Sequence, residues 1–106
     1  MRRARVDRNQ PEIVQAFRRL GCQVAHTHTV GHGFPDIVVA VGRYTLLVEI
    51  KDPEQPASKR KLTPDEQEFA NRWTGDLRIV TTIEEVAEIV EQIRKDQNRG
   101  GNNVTF

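Results

Sequence analysis

At 106 residues the chain has room for one domain with one modest core. Lys and Arg number 16 against 15 Asp and Glu, a net charge of +1, so bulk charge does not announce a nucleic-acid binder. A single cysteine, Cys22, precludes an intramolecular disulfide, and no apolar run reaches the length of a signal h-region or a membrane span; both features predict an intracellular, cytoplasmic protein with no membrane partner.

Charge is unevenly placed. Arg2, Arg3, Arg5 and Arg8 crowd residues 1–9, a basic N-terminal arm. Residues 10–20 read as the first helix, with Asn9 as its cap, Pro11 in the first turn and Gly21 at the exit. Ile13, Val14, Phe17 and Leu20 make its apolar stripe. Glu12, the one acidic residue of this helix, lies off that stripe, where the helix N-terminus alone favours a carboxylate.

Residues 22–28, CQVAHTH, read as a strand, and the loop TVGHGF follows. His26, His28 and His32 invite comparison with a zinc shell. No cysteine or second cluster supports it, and a loop histidine between glycines is ordinary polar content. Gly31 and Gly33 supply turn freedom.

Residues 34–51, FPDIVVAVGRYTLLVEIK, organise the chain. Two apolar runs, 37–41 and 44–50, flank Gly42-Arg43, which predicts a β-hairpin. Asp36 stands at the mouth of the first strand, with Glu49 and Lys51 near the end of the second. Side chains two apart share a strand face, so Glu49 and Lys51 point the same way, about 6.6 Å apart along the strand. A turn at Gly42-Arg43 places Asp36 across from them. Two carboxylates converging among Val, Ile and Leu call for a cation. With a lysine beside them they suit a hard divalent ion such as Mg²⁺, which takes one or two protein carboxylates plus waters and phosphate oxygens. An exposed Glu49–Lys51 pair, contributing ~0–1 kcal/mol, is the bland alternative.

Residues 52–62, DPEQPASKRKL, read as a loop with a compact basic run, Lys59, Arg60 and Lys61. Asp52 falls on the face opposite Lys51. Thr63-Pro64-Asp65-Glu66 is a helix start with a capping box, and Gly75 is the stop. Phe69, Ala70 and Trp73 form the expected buried face, with Gln67 one turn away. Residues 77–80 make a short strand, parallel to the Glu49 strand because a helix intervenes. Thr82 and Glu85 form a second capping box before a last helix striped by Ile83, Val86, Ala87, Val90 and Ile93. The domain is set at 10–95, with a polar tail over 96–106 in which Val104 and Phe106 are the apolar positions.

Pro35-Asp36 followed by Glu49-Ile50-Lys51 resembles the PD-(D/E)XK nuclease motif, and the chain as a whole resembles a stand-alone VRR-NUC domain of phages and bacteria. The likeness covers roughly residues 10–92, through the order of the elements as well as the motif. It implies a restriction-endonuclease-like α/β core with a mixed sheet flanked by helices, in αβββαβα order. It also implies a Mg²⁺- or Mn²⁺-dependent phosphodiesterase acting on DNA. In that reading Asp36 and Glu49 bind metal together with the Ile50 carbonyl, Glu12 is the candidate third carboxylate, and Lys51 assists the nucleophile. Gln67 takes the place of a glutamine found near the active site of such nucleases.

Several residues then become candidate DNA contacts: Arg2, Arg3 and Arg5 in the arm, His32 and Gly33 at the rim, and Lys59, Arg60 and Lys61 after the catalytic strand. No base-reading module is present in the sequence, so recognition is expected to follow DNA shape. The expected activity is a homodimeric endonuclease of branched DNA, similar to Holliday-junction resolvases. The alternatives are a nuclease of flaps, a non-catalytic DNA-binding module, a sequence-specific restriction-type enzyme and, most remotely, a zinc hydrolase.

Overall fold

The computed structural model describes residues 6–101, with side chains through residue 98. The arm residues Arg2, Arg3 and Arg5, and the tail residues Val104 and Phe106, lie outside the described residues. The elements run α1 (Gln10–Arg19), β1 (Gln23–His26), β2 (Ile37–Val41), β3 (Tyr44–Ile50), α2 (Ala57–Arg60), α3 (Pro64–Arg72), β4 (Leu77–Val80) and α4 (Ile83–Gly101). The strands form one sheet in the order β1-β2-β3-β4. The first three are antiparallel neighbours and β4 runs parallel to β3. The expected α/β architecture on a mixed sheet is therefore present. No described helix is long and apolar enough to cross a membrane.

The β2–β3 hairpin turns where the sequence predicts. Val41 faces Tyr44 across the turn, and Gly42 adopts φ +61°, a left-handed conformation that glycine takes without strain. Its register continues to Ile37 opposite Val48, so one step outward Asp36 stands level with Glu49.

Alternation sorts the strands into two faces. Ile37, Val39 and Val41 of β2, Leu46, Val48 and Ile50 of β3, and Val80 of β4 point to one side. There they pack against Ile13, Val14 and Phe17 of α1 and Val86, Val90 and Ile93 of α4. Leu20, Ile83 and Ala87, also expected in these stripes, are exposed, because they lie at the helix end or turn away from the sheet. Each such side chain contributes roughly 1.5–3 kcal/mol on burial. On the opposite face Leu47 and Glu49 are also buried, whereas Ile79 is 47% exposed. That face is only partly covered.

Four further local expectations change. Asn9 does not cap α1 with its side chain, which is committed elsewhere. The segment after β3 is not all loop, since Ala57–Arg60 form the short helix α2. Helix α4 continues past residue 95 to Gly101, and Gln97 on this extension donates to the Val41 carbonyl at 2.8 Å. The face of α3 expected to be buried is only half-buried: Phe69 and Ala70 are partly covered and Trp73 is 41% exposed. The physical reason is that α3 packs on the loop before β2, with Phe34 edge-on to Phe69 at 5.2 Å and Phe69 stacked on Trp73 at 5.4 Å.

Both capping boxes form. Thr63 Oγ1 accepts the Glu66 N–H at 3.2 Å and Glu66 Oε1 accepts the Thr63 N–H at 2.9 Å. Thr82 and Glu85 repeat the pattern at 3.2 and 3.1 Å.

Candidate active site

The hairpin delivers Asp36, Glu49 and Lys51 to one end of the sheet. Asp36 Oδ2 accepts the Ile50 backbone N–H at 2.8 Å, which fixes the carboxylate beside the last residue of β3. In extended backbone a residue's N–H and C=O leave on the same side, so the Ile50 carbonyl also faces the β2 side of the strand. Glu49 and Lys51 share a face, and Lys51 Nζ lies 3.6 Å from Glu49 Oε2. Their side chains are 5% and 9% exposed, so this is not the surface pair of the bland alternative.

Lys51 has a second and closer partner, Glu66 of α3, with Nζ to Oε1 at 2.8 Å. The same oxygen closes the α3 capping box. Glu66 was legible as a helix cap; its partnership with Lys51, fifteen positions away in the chain, had no local signal.

Burial drives the electrostatics here. Desolvation pushes the Glu49 carboxyl up to about 10, reinforced by the negative charges of Asp36 and Glu66 and opposed by Lys51. Desolvation likewise raises Asp36, with the Ile50 N–H and the Glu49 carboxyl acting the other way. For Lys51 burial works against the charge, but the bond to Glu66 and the charges of Glu66, Glu49 and Asp7 outweigh it and hold the ammonium above its ordinary value. Burial would raise Glu66, yet Lys51 and the Thr63 N–H together lower it. Asp7, raised chiefly by burial, adds a further carboxylate to this field.

Glu12 is exposed, and it is not among the charges that act on Asp36 or Glu49. The extra carboxylates beside the pair are Glu66 and Asp7 instead. Gln67 is exposed and donates to Asn71 within α3 at 2.8 Å, so it is its neighbour Glu66 that reaches the site. Lys59, Arg60 and Lys61 are exposed on and after α2. His32 is exposed in the loop at φ +57°, and Gly33 (φ +80°) approaches α3: a Cβ there would stand 2.2 Å from the Asp65 carbonyl oxygen. Gly33's missing side chain thus serves the seating of α3.

The N-terminal segment crosses the same end of the sheet. Asn9 Nδ2 donates to the Lys51 and Thr81 carbonyls at 3.1 and 2.9 Å, joining α1 to the ends of β3 and β4. Asp52 is buried under Arg8, whose guanidinium reaches both of its oxygens at 3.2 Å and holds its carboxyl below the usual range.

Among the described residues no group of three His, Cys, Asp or Glu gathers to hold a metal ion. The chemistry of the pair still fits one kind of ion. A buried carboxyl driven to keep its proton, beside a half-buried one, is the environment a divalent cation relieves. Mg²⁺ needs only one or two protein carboxylates, taking its other ligands from water and phosphate oxygens. Asp36 and Glu49 would hold it, with the Ile50 carbonyl beside them. Compared with known protein families, curated proteins and solved structures, the chain matches none of them.

Proposed function

We propose that the chain is a Mg²⁺- or Mn²⁺-dependent DNA endonuclease of the VRR-NUC type, built on a restriction-endonuclease-like core. The observation that carries this reading is the level placement of Asp36 and Glu49 at the end of the hairpin, with Asp36 tied to the Ile50 N–H and Lys51 3.6 Å from Glu49. The order of the elements around that hairpin supports the same core.

When bound, the metal would supply Lewis-acid neutralisation of charge on the scissile phosphate. Asp36 and Glu49 are the carboxylates that would hold it. Lys51, kept cationic chiefly by Glu66, orients the attacking water and stabilises charge as it develops on the phosphoryl oxygens. The partly covered sheet face and the burial of the site's walls limit bulk water around the ammonium, which strengthens that interaction.

The substrate proposed is branched DNA, read by shape through phosphate contacts from His32, Lys59, Arg60 and Lys61. A homodimer acting on a symmetric junction, as Holliday-junction resolvases do, gives each strand its own active site. The protein would then act inside the cell in DNA repair, recombination or replication.

Cleavage of end-labelled four-way junction, 5′-flap and linear duplex DNA, with Mg²⁺, Mn²⁺ or EDTA, tests the proposal. The expected result is metal-dependent cutting at paired junction sites, lost in Lys51→Ala. Cutting of flaps alone would retain the chemistry and discard the junction. Tight binding without cleavage in either metal would overturn the enzyme in favour of a DNA-binding module.

A further inference from the structure

The sheet ends at β4, and the outer edge of that strand is bare. The Leu47 N–H donates to the Asp76 carbonyl and the Lys51 N–H to the Val80 carbonyl, each at 3.0 Å. Asp76 and Val80 therefore bond inward to β3. Leu77 and Ile79, between them, turn their N–H and C=O groups outward, where no described strand pairs with them. Monomeric proteins blunt such an edge with lysine, proline, a bulge or a covering element. Here Ile79, 47% exposed, lies at a groove of ≈ 470 Å³ bounded by Leu62 and Ala70 on the α3 side and Ile89 on the α4 side. At the opposite edge of the sheet, the exposed residues of β1 are the small or polar Gln23, Ala25 and His26.

The surroundings of the β4 edge supply a second apolar surface and two charges. Leu77 is level with Leu47 and Ile79 with Glu49, so both side chains lie on the α3 side of the sheet. On that side Trp73 ends α3, 41% exposed, with its indole against Gly75: a Cβ on Gly75 would stand 2.8 Å from Nε1. Arg78 and Asp76 point to the other face and pair with each other at 2.6 Å.

We infer that β4 is the seam of a homodimer, two copies pairing antiparallel about a two-fold axis at Leu77. In this register Leu77 faces Leu77 of the second copy and exchanges two N–H···O=C bonds with it. Arg78 faces Asp76 of the second copy in the closely spaced type of pair, so two arginines and two aspartates alternate in sign around the axis. Ile79 comes level with Gly75 of the second copy and covers the indole of its Trp73. The exposed isoleucine of each chain thereby meets the exposed tryptophan of the other. Glu85, which accepts from the Thr81 and Thr82 N–H groups, stands beyond the far end of β4 from Leu77, so the two-fold keeps the acidic starts of the α4 helices apart.

The result is one continuous eight-stranded sheet. Glu49 of each copy lies on the same face of it, four residues apart along the strands and three strand spacings across them, roughly 20 Å in all. A branched DNA lying on that face meets both sites. Only this use of the two sites rests on the nuclease reading; the seam itself stands apart from cleavage.

Sedimentation of the full chain in EDTA, without DNA, tests the seam. Expected is reversible association from 12.1 kDa to twice that mass with a micromolar or tighter Kd. Ile79→Lys, at a half-exposed position, should weaken it roughly a hundredfold or more, because the two-fold counts the loss twice. Arg78→Glu and Asp76→Arg each set like charges across the axis and should each be monomeric. Mixed together they restore both opposite pairs and should form a heterodimer, which damage to the fold of either variant would not produce. A wild type that stays monomeric into the high micromolar range, a dimer indifferent to Ile79→Lys, or a mixture that remains monomeric would overturn the proposal. A β4 dimer that cuts no DNA would remove the nuclease and leave the seam. Metal-dependent cutting by a chain that stays monomeric would do the reverse.

Discussion

One carboxylate oxygen joins Lys51 to the start of α3: Glu66 Oε1 accepts from Lys51 Nζ at 2.8 Å and from the Thr63 N–H at 2.9 Å. Glu66→Gln keeps an acceptor for the cap and removes the anion. The expected cost is about 1.5–3 kcal/mol, the range of a charged hydrogen bond, against about 1 kcal/mol for Thr63→Ala, which loses the cap hydroxyl alone. Because Glu66 raises Lys51, the alkaline limb of any activity that needs the ammonium should move to lower pH in Glu66→Gln. Urea unfolding and a pH–rate profile check the two parts. Equal costs for the two variants would mean that the ion pair adds nothing.

Glu49 sets a pH dependence with a definite sign. Its carboxyl is raised to about 10 in the fold, from an ordinary value near 4.5, so between those limits folding takes up a proton. Stability from this group is present in full below the unfolded value and is lost as pH rises through the folded one. In EDTA the wild type should lose stability relative to Glu49→Gln as pH increases from 5 to 9, with a slope of at most about 1.4 kcal/mol per pH unit. Mg²⁺ or Mn²⁺ should reduce that slope by favouring the ionised pair. A slope difference of zero between the two proteins in EDTA would refute the assignment.

Much of this site was legible in the chain because its signals are local. Glu49 and Lys51 are two apart on a strand, and the Gly42 turn fixes the register that brings Asp36 level with them. The capping boxes were equally legible, since a Thr and a Glu three residues apart act on each other. What escaped were second uses of residues that already had a local explanation. Glu66 looked complete as a cap, and Asn9 as a cap for α1, yet one meets Lys51 and the other ties Lys51 to Thr81. Asp7 and the Arg8–Asp52 pair depend on how the N-terminal segment crosses the sheet, which no periodicity encodes.

Gly33 and Gly31 make a controlled pair. Both have strongly positive φ, +80° and +83°, but a Cβ on Gly33 meets the Asp65 backbone at 2.2 Å while one on Gly31 meets nothing. Gly31→Ala should cost about 1–3 kcal/mol from backbone strain. Gly33→Ala should cost more and should also displace the first turn of α3, separating Glu66 from Lys51. Unfolding midpoints, together with the Lys51 ammonium resonance, distinguish the two.

Asn9→Ala removes the donor for two carbonyls at the ends of β3 and β4. A loss of about 2–4 kcal/mol is expected, from two unsatisfied acceptors. Asn9→Asp should be no better, because a carboxylate offers no N–H. A cost within experimental error of zero for Asn9→Ala would show that water replaces the amide without penalty.

Helix α3 fully buries none of its residues, whereas α1 and α4 are sealed into the core by Phe17, Val86 and Val90. Elements with little buried apolar surface open at lower free energy than the whole domain. The backbone amides of α3 should therefore exchange with deuterium well before those of β3. Each such opening withdraws Glu66 and leaves Lys51 with Glu49 on a sheet that is still folded. The ammonium would then be free to meet a phosphate at the cost of a local fluctuation, without the domain itself coming apart.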